Sequence, residues 1–174
     1  MNFEFAILDF IRNNLTSPFM DTLMKAITFL GNGGWIWIAF GVILSFIPKT
    51  RKIGFTVCLG LIFSLLLCNL TLKPLVARVR PYEIKEIVLI IAKPHDYSFP
   101  SGHSSASFAG AVAIFLNNKK WGIAAIILAS FIALSRLYLY VHFPTDVLCG
   151  ALLGSLCAVI GYLLLKAIYK LKKA

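Results

Sequence analysis

Long apolar segments, separated by short polar stretches, occupy most of this chain of 174 residues. Hydrophobic residues make up 59% of the sequence, and its mean hydropathy is +0.85. A soluble protein of this length has too little interior to bury so many apolar segments. The sequence therefore predicts an all-α, polytopic membrane protein, with residues 1–174 forming a single membrane-embedded domain.

Glycine, proline and basic residues divide the apolar sequence into segments. Six transmembrane helices are predicted, at residues 17–30, 35–47, 53–72, 101–116, 121–138 and 144–168. Residues 1–16 are predicted to form a short amphipathic helix on the membrane surface, because Phe3, Ile7 and Ile11 recur at helical spacing. A partner-binding helix is the alternative for this segment. In the first span, Asp21 and Lys25 are spaced to pair along one helix face.

Lysine and arginine are distributed unevenly among the connecting loops. The loop at 48–52, the turn at 117–120 and the basic tail with Lys170, Lys172 and Lys173 contain no acidic residue. The positive-inside rule assigns these segments to the cytoplasm, so both termini are predicted to be cytoplasmic. The turn at 31–34, the extracytoplasmic loop at 73–100 and the turn at 139–143 are then predicted to face outward from the cell membrane.

The net charge of +10 is carried by basic residues at the ends of apolar segments, and these residues do not form one stripe. We therefore expect membrane lipids as partners and no nucleic acid. The four cysteines all fall inside predicted spans and show no CxxC spacing, which is typical of buried apolar residues. The sequence leaves the oligomeric state open.

Residues 135–146 place an arginine, a histidine and a carboxylate between two apolar segments, where charged groups are costly. Pro144 suits the first turn of a new helix, so Asp146 is expected in that turn with His142 at its entry. A carboxylate there can orient one imidazole nitrogen and leave the other free to react. Arg136 ends the preceding helix and offers donors that suit phosphate. A structural ion-pair network is the alternative.

Two further polar clusters fall on the same predicted side of the membrane. Lys73 and Arg80 are seven residues apart, so a continued helix would direct both to one face, although Pro74 must kink that helix. Arg78 would point away from that face. The alternative for this cluster is a basic belt whose side chains reach toward the membrane surface.

The second cluster is residues 97–108, where Pro100 and Ser101 begin a helix of small residues. Free backbone N–H groups at a helix start, beside a hydroxyl, can bind an anion, and Gly102 allows the backbone a close approach. His103 lies in the first turn and is placed to donate a proton. A plain helix start with an isolated histidine is the alternative reading of this cluster.

The three clusters together closely resemble the signature of the phosphatidic acid phosphatase type 2 family of lipid phosphatases. That signature is K-x6-RP, then PSGH, then SR-x5-H-x3-D, and all its positions match here in the same order and spacing. The matching residues extend from Lys73 to Asp146. The resemblance implies a six-helix membrane fold and a metal-independent phosphohydrolase that needs no cofactor and forms a phosphohistidine.

The resemblance also implies a role for each matching residue. His142 would be the nucleophile, Asp146 would orient it, and His103 would be the general acid. Phosphate oxygens would be held by Lys73, Arg80, Arg136, Ser101 and the backbone at Gly102. Three fixed cations in a partly dry site are the kind of arrangement that phosphoryl transfer needs.

Resemblance and small size favour hydrolysis of undecaprenyl pyrophosphate to undecaprenyl phosphate. Phosphatidylglycerol phosphate or phosphatidic acid is the alternative substrate, and an anionic-lipid binding or transport protein is the non-enzyme alternative. A vanadate haloperoxidase shares the motifs by resemblance, but those enzymes are soluble. A zinc site formed by His95, His103 and His142 is disfavoured, because three cations in the same place would repel the metal.

Overall fold

The computed structural model describes residues 2–171 and contains nine α-helices and no β-strand in that range. This confirms the all-α prediction. The helices are α1 (Asn2–Leu15), α2 (Pro18–Gly31), α3 (Trp35–Phe46), α4 (Arg51–Ser64), α5 (Lys73–Val76), α6 (Pro81–Ile84), α7 (Gly102–Asn117), α8 (Lys119–Tyr138) and α9 (Pro144–Leu171). A wider helical segment, Leu65–Leu72, joins α4 to α5. The last residues of the predicted basic tail, 172–174, lie outside the described range.

Local sequence explains where these helices begin. Ser17 caps α2 by accepting a hydrogen bond from the backbone N–H of Met20, at 3.2 Å, and Pro18 follows in the first turn. Asn118 caps α8 by accepting from the N–H of Trp121, also at 3.2 Å. Gly33 and Gly34 have φ values of 58° and 69°, a conformation that favours glycine, and they turn the chain from α2 into α3.

Helix α7 lies at the centre of the bundle and packs against α4, α8 and α9. Its buried face is built from small residues, so the neighbouring backbones approach closely. A Cβ atom at Gly154 of α9 would overlap the carbonyl oxygen of Ser105, and one at Gly150 would lie 2.6 Å from the carbonyl oxygen of Ser101. This packing fixes the start of α9 against the start of α7.

The bundle has two ends, which we name by their connections. The basic end holds the turns around residues 48–50 and 118, where Asn117 donates to Thr56 and the Lys52 ammonium lies 5.0 Å from the ring centre of Tyr169. The loop end holds the turn at 139–143 and the connection at 77–101. Helices α3, α4, α7, α8 and α9 run between the two ends.

Helix α1 confirms the helix predicted at residues 1–16, but its position differs from the prediction. It packs at the loop end, where Leu8 is fully buried in an apolar cluster with Tyr140 and Phe143. The C-terminal part of α9, which contains Tyr169, lies at the basic end. The two described ends of the chain thus lie at different ends of the bundle, whereas the sequence predicts both on one side, because the apolar face of α1 packs against the protein. The side of the membrane on which each terminus lies stays a prediction.

Helix α2 also differs from the prediction. Its first turn lies at the loop end, where Asp21 accepts a hydrogen bond from the Tyr138 hydroxyl at 2.6 Å instead of pairing with Lys25. Its last residue, Gly31, packs against His103 and Ile132. Both ends of α2 thus lie toward the loop end, and the helix does not reach the basic end.

Within residues 2–171, four helical stretches are long and apolar enough to cross a membrane: Pro18–Phe46, Arg51–Ile84, Lys119–Tyr138 and Pro144–Leu171. The first and second predicted spans together match one of these stretches, Pro18–Phe46, to within one residue at each end. The fourth predicted span corresponds to α7, which has only 16 residues. The structure therefore confirms a helical protein with several apolar segments of membrane-spanning length. It does not confirm that the number of spans is six.

Candidate active site

The three polar sequence clusters meet at the loop end around a cavity of about 1050 Å³. The loop-end turn brings His142, the end of α8 brings Arg136, and the start of α7 brings His103. Six of the eight predicted site residues line this cavity: Lys73, Arg80, Gly102, His103, Arg136 and His142. The other two, Ser101 and Asp146, are fully buried and do not line it.

His142 is almost fully buried, and its Nε2 atom lies 3.2 Å from Nη1 of Arg80. A guanidinium group can only donate, so Nε2 accepts and Nδ1 carries the proton of the neutral ring. Burial lowers the pKa of His142, Arg80 and Arg136 lower it further, and the Asp146 carboxylate opposes them. The ring is therefore neutral near pH 7, which is the form that can act as a nucleophile.

Asp146 lies on the other side of the His142 ring. Its Oδ2 atom is 3.6 Å from Nδ1 of His142, and it accepts hydrogen bonds from the Ser98 hydroxyl at 2.5 Å and from the Phe143 N–H at 2.9 Å. Within the described residues, Nδ1 has no hydrogen-bond partner. A ring movement of roughly half an ångström would bring Nδ1 within hydrogen-bond reach of the carboxylate.

Three buried cations surround the inner part of the cavity. Arg80 is 2% exposed, Arg136 is 3% exposed and Lys73 is 5% exposed. Arg136 donates through Nη1 to the Thr28 hydroxyl, while its Nε atom has no partner among the described residues. Buried cationic donors of this kind need a counter-charge, and a phosphate group can supply it.

Asp96 is a site residue that the sequence analysis did not identify. Its carboxylate forms ion pairs with Lys73 and, at 2.6 Å, with Nη2 of Arg80. Burial raises the pKa of Asp96, but the two cations outweigh burial and lower that pKa to about 2. Asp96 is therefore ionised, and it forms ion pairs with two of the cations that are predicted to bind phosphate.

His103 faces the cavity from the first turn of α7. Its Nε2 atom lies 3.0 Å from Oδ1 of Asn32, in the turn between α2 and α3. Because the amide oxygen accepts, this contact places a proton on Nε2 of His103. Asn32 was read from the sequence only as part of a helix break, and no sequence signal separated it from an ordinary turn residue.

The Ser101 side chain is fully buried at the start of α7 and does not line the cavity, so its predicted contact with phosphate stays a prediction. Its hydroxyl caps α7, accepting from the N–H of Ser104 at 3.3 Å and contacting the Ser104 hydroxyl at 3.0 Å. Gly102 does line the cavity, beside Asn69, and a Cβ atom added to it would lie 2.9 Å from the Asn69 amide oxygen. The prediction for Gly102 is thus consistent with its position.

The histidines are not arranged as a metal site. His95 is exposed and does not line the cavity. In the part of the chain that the structure describes, no group of three or more His, Cys, Asp or Glu side chains is placed to hold a metal ion. The cluster instead combines a neutral imidazole, a second histidine and three cations, which suits reaction at a phosphate group.

Comparison with known proteins agrees with this chemistry. A sequence model described as the PAP2 superfamily matches residues 53–170. An undecaprenyl-diphosphatase of Sulfolobus acidocaldarius is 38% identical over 138 residues, which cover 77% of this chain and 66% of that protein. A lipid A 4'-phosphatase of Bacteroides thetaiotaomicron is 34% identical over 157 residues, or 82% of this chain and 68% of that protein. The chain thus spans about two thirds of the length of these curated relatives.

Two solved structures are similar over most of the chain. Aquifex aeolicus LpxE has a TM-score of 0.79 and 26% identity, covering 90% of this chain and 93% of that one. A PAP2-type phosphatidylglycerolphosphate phosphatase from Bacillus subtilis has a TM-score of 0.79 and 28% identity, covering 96% of this chain and 86% of that one. Together with the two curated relatives above, which carry phosphatase names, these matches support hydrolase activity for the chain.

Proposed function

The chain belongs to the PAP2 superfamily, and from this membership we propose that it is a membrane lipid phosphatase that works through a phosphohistidine at His142. We further propose that residues 1–174 act as one domain. The family match begins at residue 53, but α1 and α2 pack against the site residues and would belong to the same unit.

One observation carries this proposal. The Nε2 atom of buried His142 lies 3.2 Å from the Arg80 guanidinium, in a cavity that Lys73 and Arg136 also line. A phosphate group held by these cations would have its phosphorus atom within reach of a neutral imidazole nitrogen. Positioning and charge stabilisation are the main requirements of phosphoryl transfer, and fixed buried cations supply both.

In the first step, Nε2 of His142 attacks phosphorus, an N–P bond forms, and the bond from phosphorus to the leaving oxygen breaks. His103 gives its proton to that oxygen. The dianionic substrate favours the charged form of His103, and such acid catalysis contributes about 10²- to 10⁴-fold. Asp146 stabilises the positive charge that develops on the His142 ring through Nδ1–H.

In the second step, a water molecule gives a proton to His103, and the oxygen of that water attacks phosphorus. The N–P bond breaks, inorganic phosphate leaves, and His142 returns to its neutral form with the proton on Nδ1. His103 serves as acid in one step and as base in the next, so the two steps leave the protein unchanged. No metal ion takes part in this proposed route.

For the substrate, we propose undecaprenyl pyrophosphate, with undecaprenyl phosphate as product. The outer part of the cavity is lined by apolar residues of α3, α4 and the segment after α4, among them Ile38, Ile62 and Leu65, which suit a hydrocarbon chain. Lys25 also lines the cavity and offers a cation for the second phosphate. Other relatives are named as phosphatases of lipid A and of phosphatidylglycerophosphate. Phosphatidylglycerol phosphate or phosphatidic acid is therefore the alternative substrate.

We also propose a membrane orientation that replaces the six-span layout. Five helices, α3, α4, α7, α8 and α9, would cross the cell membrane, and α1 and α2 would lie at the outer surface beside the site. The basic end carries Lys49, Lys52 and Lys120 with no nearby acid, so the positive-inside rule places it in the cytoplasm. The site would then face outward, with the carboxyl terminus inside.

The proposal is tested by phosphate release from purified protein in detergent, with EDTA present. Undecaprenyl pyrophosphate, phosphatidylglycerol phosphate and phosphatidic acid form the substrate panel. We expect release from at least one of them, and loss of release in His142→Ala. His95→Ala is the matched control, because it removes an exposed histidine near the same site. Full activity in His142→Ala would contradict the mechanism, and a folded protein that releases no phosphate would favour a binding or transport role.

A further inference from the structure

Arg78 contacts Asp146 on the carboxylate oxygen that does not face His142. Its Nη1 atom lies 2.5 Å from Oδ1 of Asp146, whereas Oδ2 is the oxygen nearest to His142. The Asp146 side chain is fully buried, and the Arg78 side chain is 23% exposed. Arg78 does not line the cavity, so it cannot touch a bound phosphate group. Any effect of Arg78 on the reaction must therefore pass through Asp146.

Arg78 is itself held by the amino-terminal helix. Its Nη2 atom donates to Oε2 of Glu4 on α1 at 2.7 Å, and its guanidinium carbon lies 4.0 Å from the ring centre of Phe143. The Thr145 hydroxyl accepts from Arg78 at 2.7 Å and donates to Oε1 of Glu4 at 2.5 Å. These contacts leave the guanidinium few other positions, because both of its terminal nitrogens are engaged.

From this geometry we propose that Arg78 is a positioning residue for phosphoryl transfer at His142, and that Glu4 holds Arg78 in place. The inference rests on the proposed function. The carboxylate of Asp146 must present one oxygen to Nδ1–H when the His142 ring becomes positive. Ser98 and the Phe143 N–H fix that oxygen, and Arg78 fixes the other and compensates the buried negative charge.

The chain of contacts thus runs from α1 to the reacting nitrogen, in the order Glu4, Arg78, Asp146 and His142. Without Arg78, the carboxylate can rotate, and its charge is uncompensated in a dry environment. Both changes weaken the support for the developing imidazolium, which exists in the transition state and not in the bound substrate. We therefore expect an effect on kcat and little effect on KM.

The test uses the full-length protein in detergent, with the lipid substrate that the wild type hydrolyses fastest. We expect Arg78→Gln to lower kcat by about tenfold to a hundredfold, the range for a lost buried charge-assisted hydrogen bond, with KM within about threefold. Arg78→Lys should recover part of that loss. Glu4→Gln should lower kcat less, and it should cause no further loss when combined with Arg78→Gln, since Glu4 acts through Arg78.

Lys85→Gln is the matched control, because the Lys85 ammonium pairs with Asp9 of α1 at 2.6 Å and contacts neither Asp146 nor His142. This variant should keep the wild-type kcat. A kcat of Arg78→Gln within about threefold of the wild-type value would overturn the inference. A loss of kcat in Lys85→Gln as large as that in Arg78→Gln would also overturn it, because the loss would then come from loosening of α1.

Two further comparisons keep the outcomes distinct. Should Arg78→Gln fail to fold, Glu4→Gln carries the test, because it weakens the hold on Arg78 but keeps a guanidinium beside the buried Asp146 carboxylate. A Glu4→Gln variant with wild-type kcat would then overturn the inference. Equal phosphate release by wild type and His142→Ala would instead refute the proposed function. An inactive His142→Ala beside a fully active Arg78→Gln would overturn the positioning role alone.

Discussion

The Asp96 carboxylate forms ion pairs with two of the three cations that would bind phosphate, and so competes with phosphate for them. Removing its charge should therefore strengthen the binding of phosphate. The carboxylate contacts both Lys73 and Arg80, and its side chain is 55% exposed. In the Asp96→Asn variant, an amide of the same size and shape loses both ion pairs. The two cations then become available to a phosphate group without displacement of a competing anion.

The size of the effect follows from the pKa of Asp96. Burial raises that pKa, but Lys73 and Arg80 lower it from 3.8 to about 2. The difference of about 1.8 corresponds to roughly 2.4 kcal/mol. Because the side chain is half exposed, solvent screening reduces the usable energy to about 1 kcal/mol. Phosphate should therefore bind about fivefold more tightly to Asp96→Asn than to the wild type.

The sign of the pH dependence follows from the same value. A lowered pKa in the folded protein means that the ion pairs are fully formed above the ordinary value of 3.8 and are lost as the pH falls through about 2. Asp96 is therefore ionised throughout the range in which the enzyme can be assayed. The ratio of phosphate affinities between variant and wild type should stay constant between about pH 5 and pH 8.

The assay is inhibition of lipid hydrolysis by inorganic phosphate, which gives an inhibition constant for each protein. We expect that constant to fall about fivefold in Asp96→Asn. Glu86→Gln is the matched control, because it removes one negative charge from an exposed residue of the same loop. An unchanged or higher inhibition constant in Asp96→Asn would refute the competition and would indicate that Asp96 holds the two cations in their binding geometry.

Three more predictions concern packing, substrate choice and membrane orientation. Gly154→Ala should lower the free energy of unfolding by about 1–3 kcal/mol, because the added methyl overlaps the α7 backbone, and thermal unfolding in detergent measures this. Lys25→Met should lower kcat/KM for a lipid pyrophosphate by up to about fivefold and change it less for a monophosphate, as expected for one charge at the cavity rim. In a cysteine-free background, the single variants Asn13→Cys and Lys93→Cys should each react with an impermeant maleimide on intact cells, whereas Lys120→Cys should stay unlabelled. Labelling of Asn13→Cys only after lysis would contradict the orientation.

The motif spacing was sufficient to predict which distant segments meet. His103 and Arg136 lie at the ends of apolar helices, and His142 lies in the turn between two of them, all on the same predicted side. Helices α7, α8 and α9 begin within a few residues of their predicted starts, because Ser101, Asn118 and Pro144 are strong local start signals. Local chemistry and hydrophobic length therefore predict this half of the molecule well.

The amino-terminal region was not predictable in the same way. Residues 17–30 are apolar enough for a span, and nothing local shows that Asp21 contacts Tyr138, which lies 117 residues away. The pairing of Glu4 with Arg78 is likewise a contact across 74 residues. An amphipathic helix has the same pattern whether its apolar face meets lipid or protein. Only the tertiary structure decides between the two.

Asp96 and Ser98 were missed for a different reason. Both precede the motif that begins at Pro100, in a loop where polar residues are ordinary. Their significance comes from partners brought in by other segments: Lys73 and Arg80 for Asp96, and Asp146 for Ser98. A loop carboxylate gives no local sign that it will meet two buried cations, so its role follows from the folded arrangement.

The most direct measurement of the central chemistry is to trap the covalent intermediate. Protein mixed with a lipid pyrophosphate labelled with ³²P on its terminal phosphate is quenched in alkali within one turnover, because phosphohistidine survives alkali, and then digested and mapped. We expect the label on the peptide that contains His142, and no label in His142→Ala. Label on any other residue, or rapid phosphate release with no labelled protein at any time, would contradict nucleophilic attack by His142.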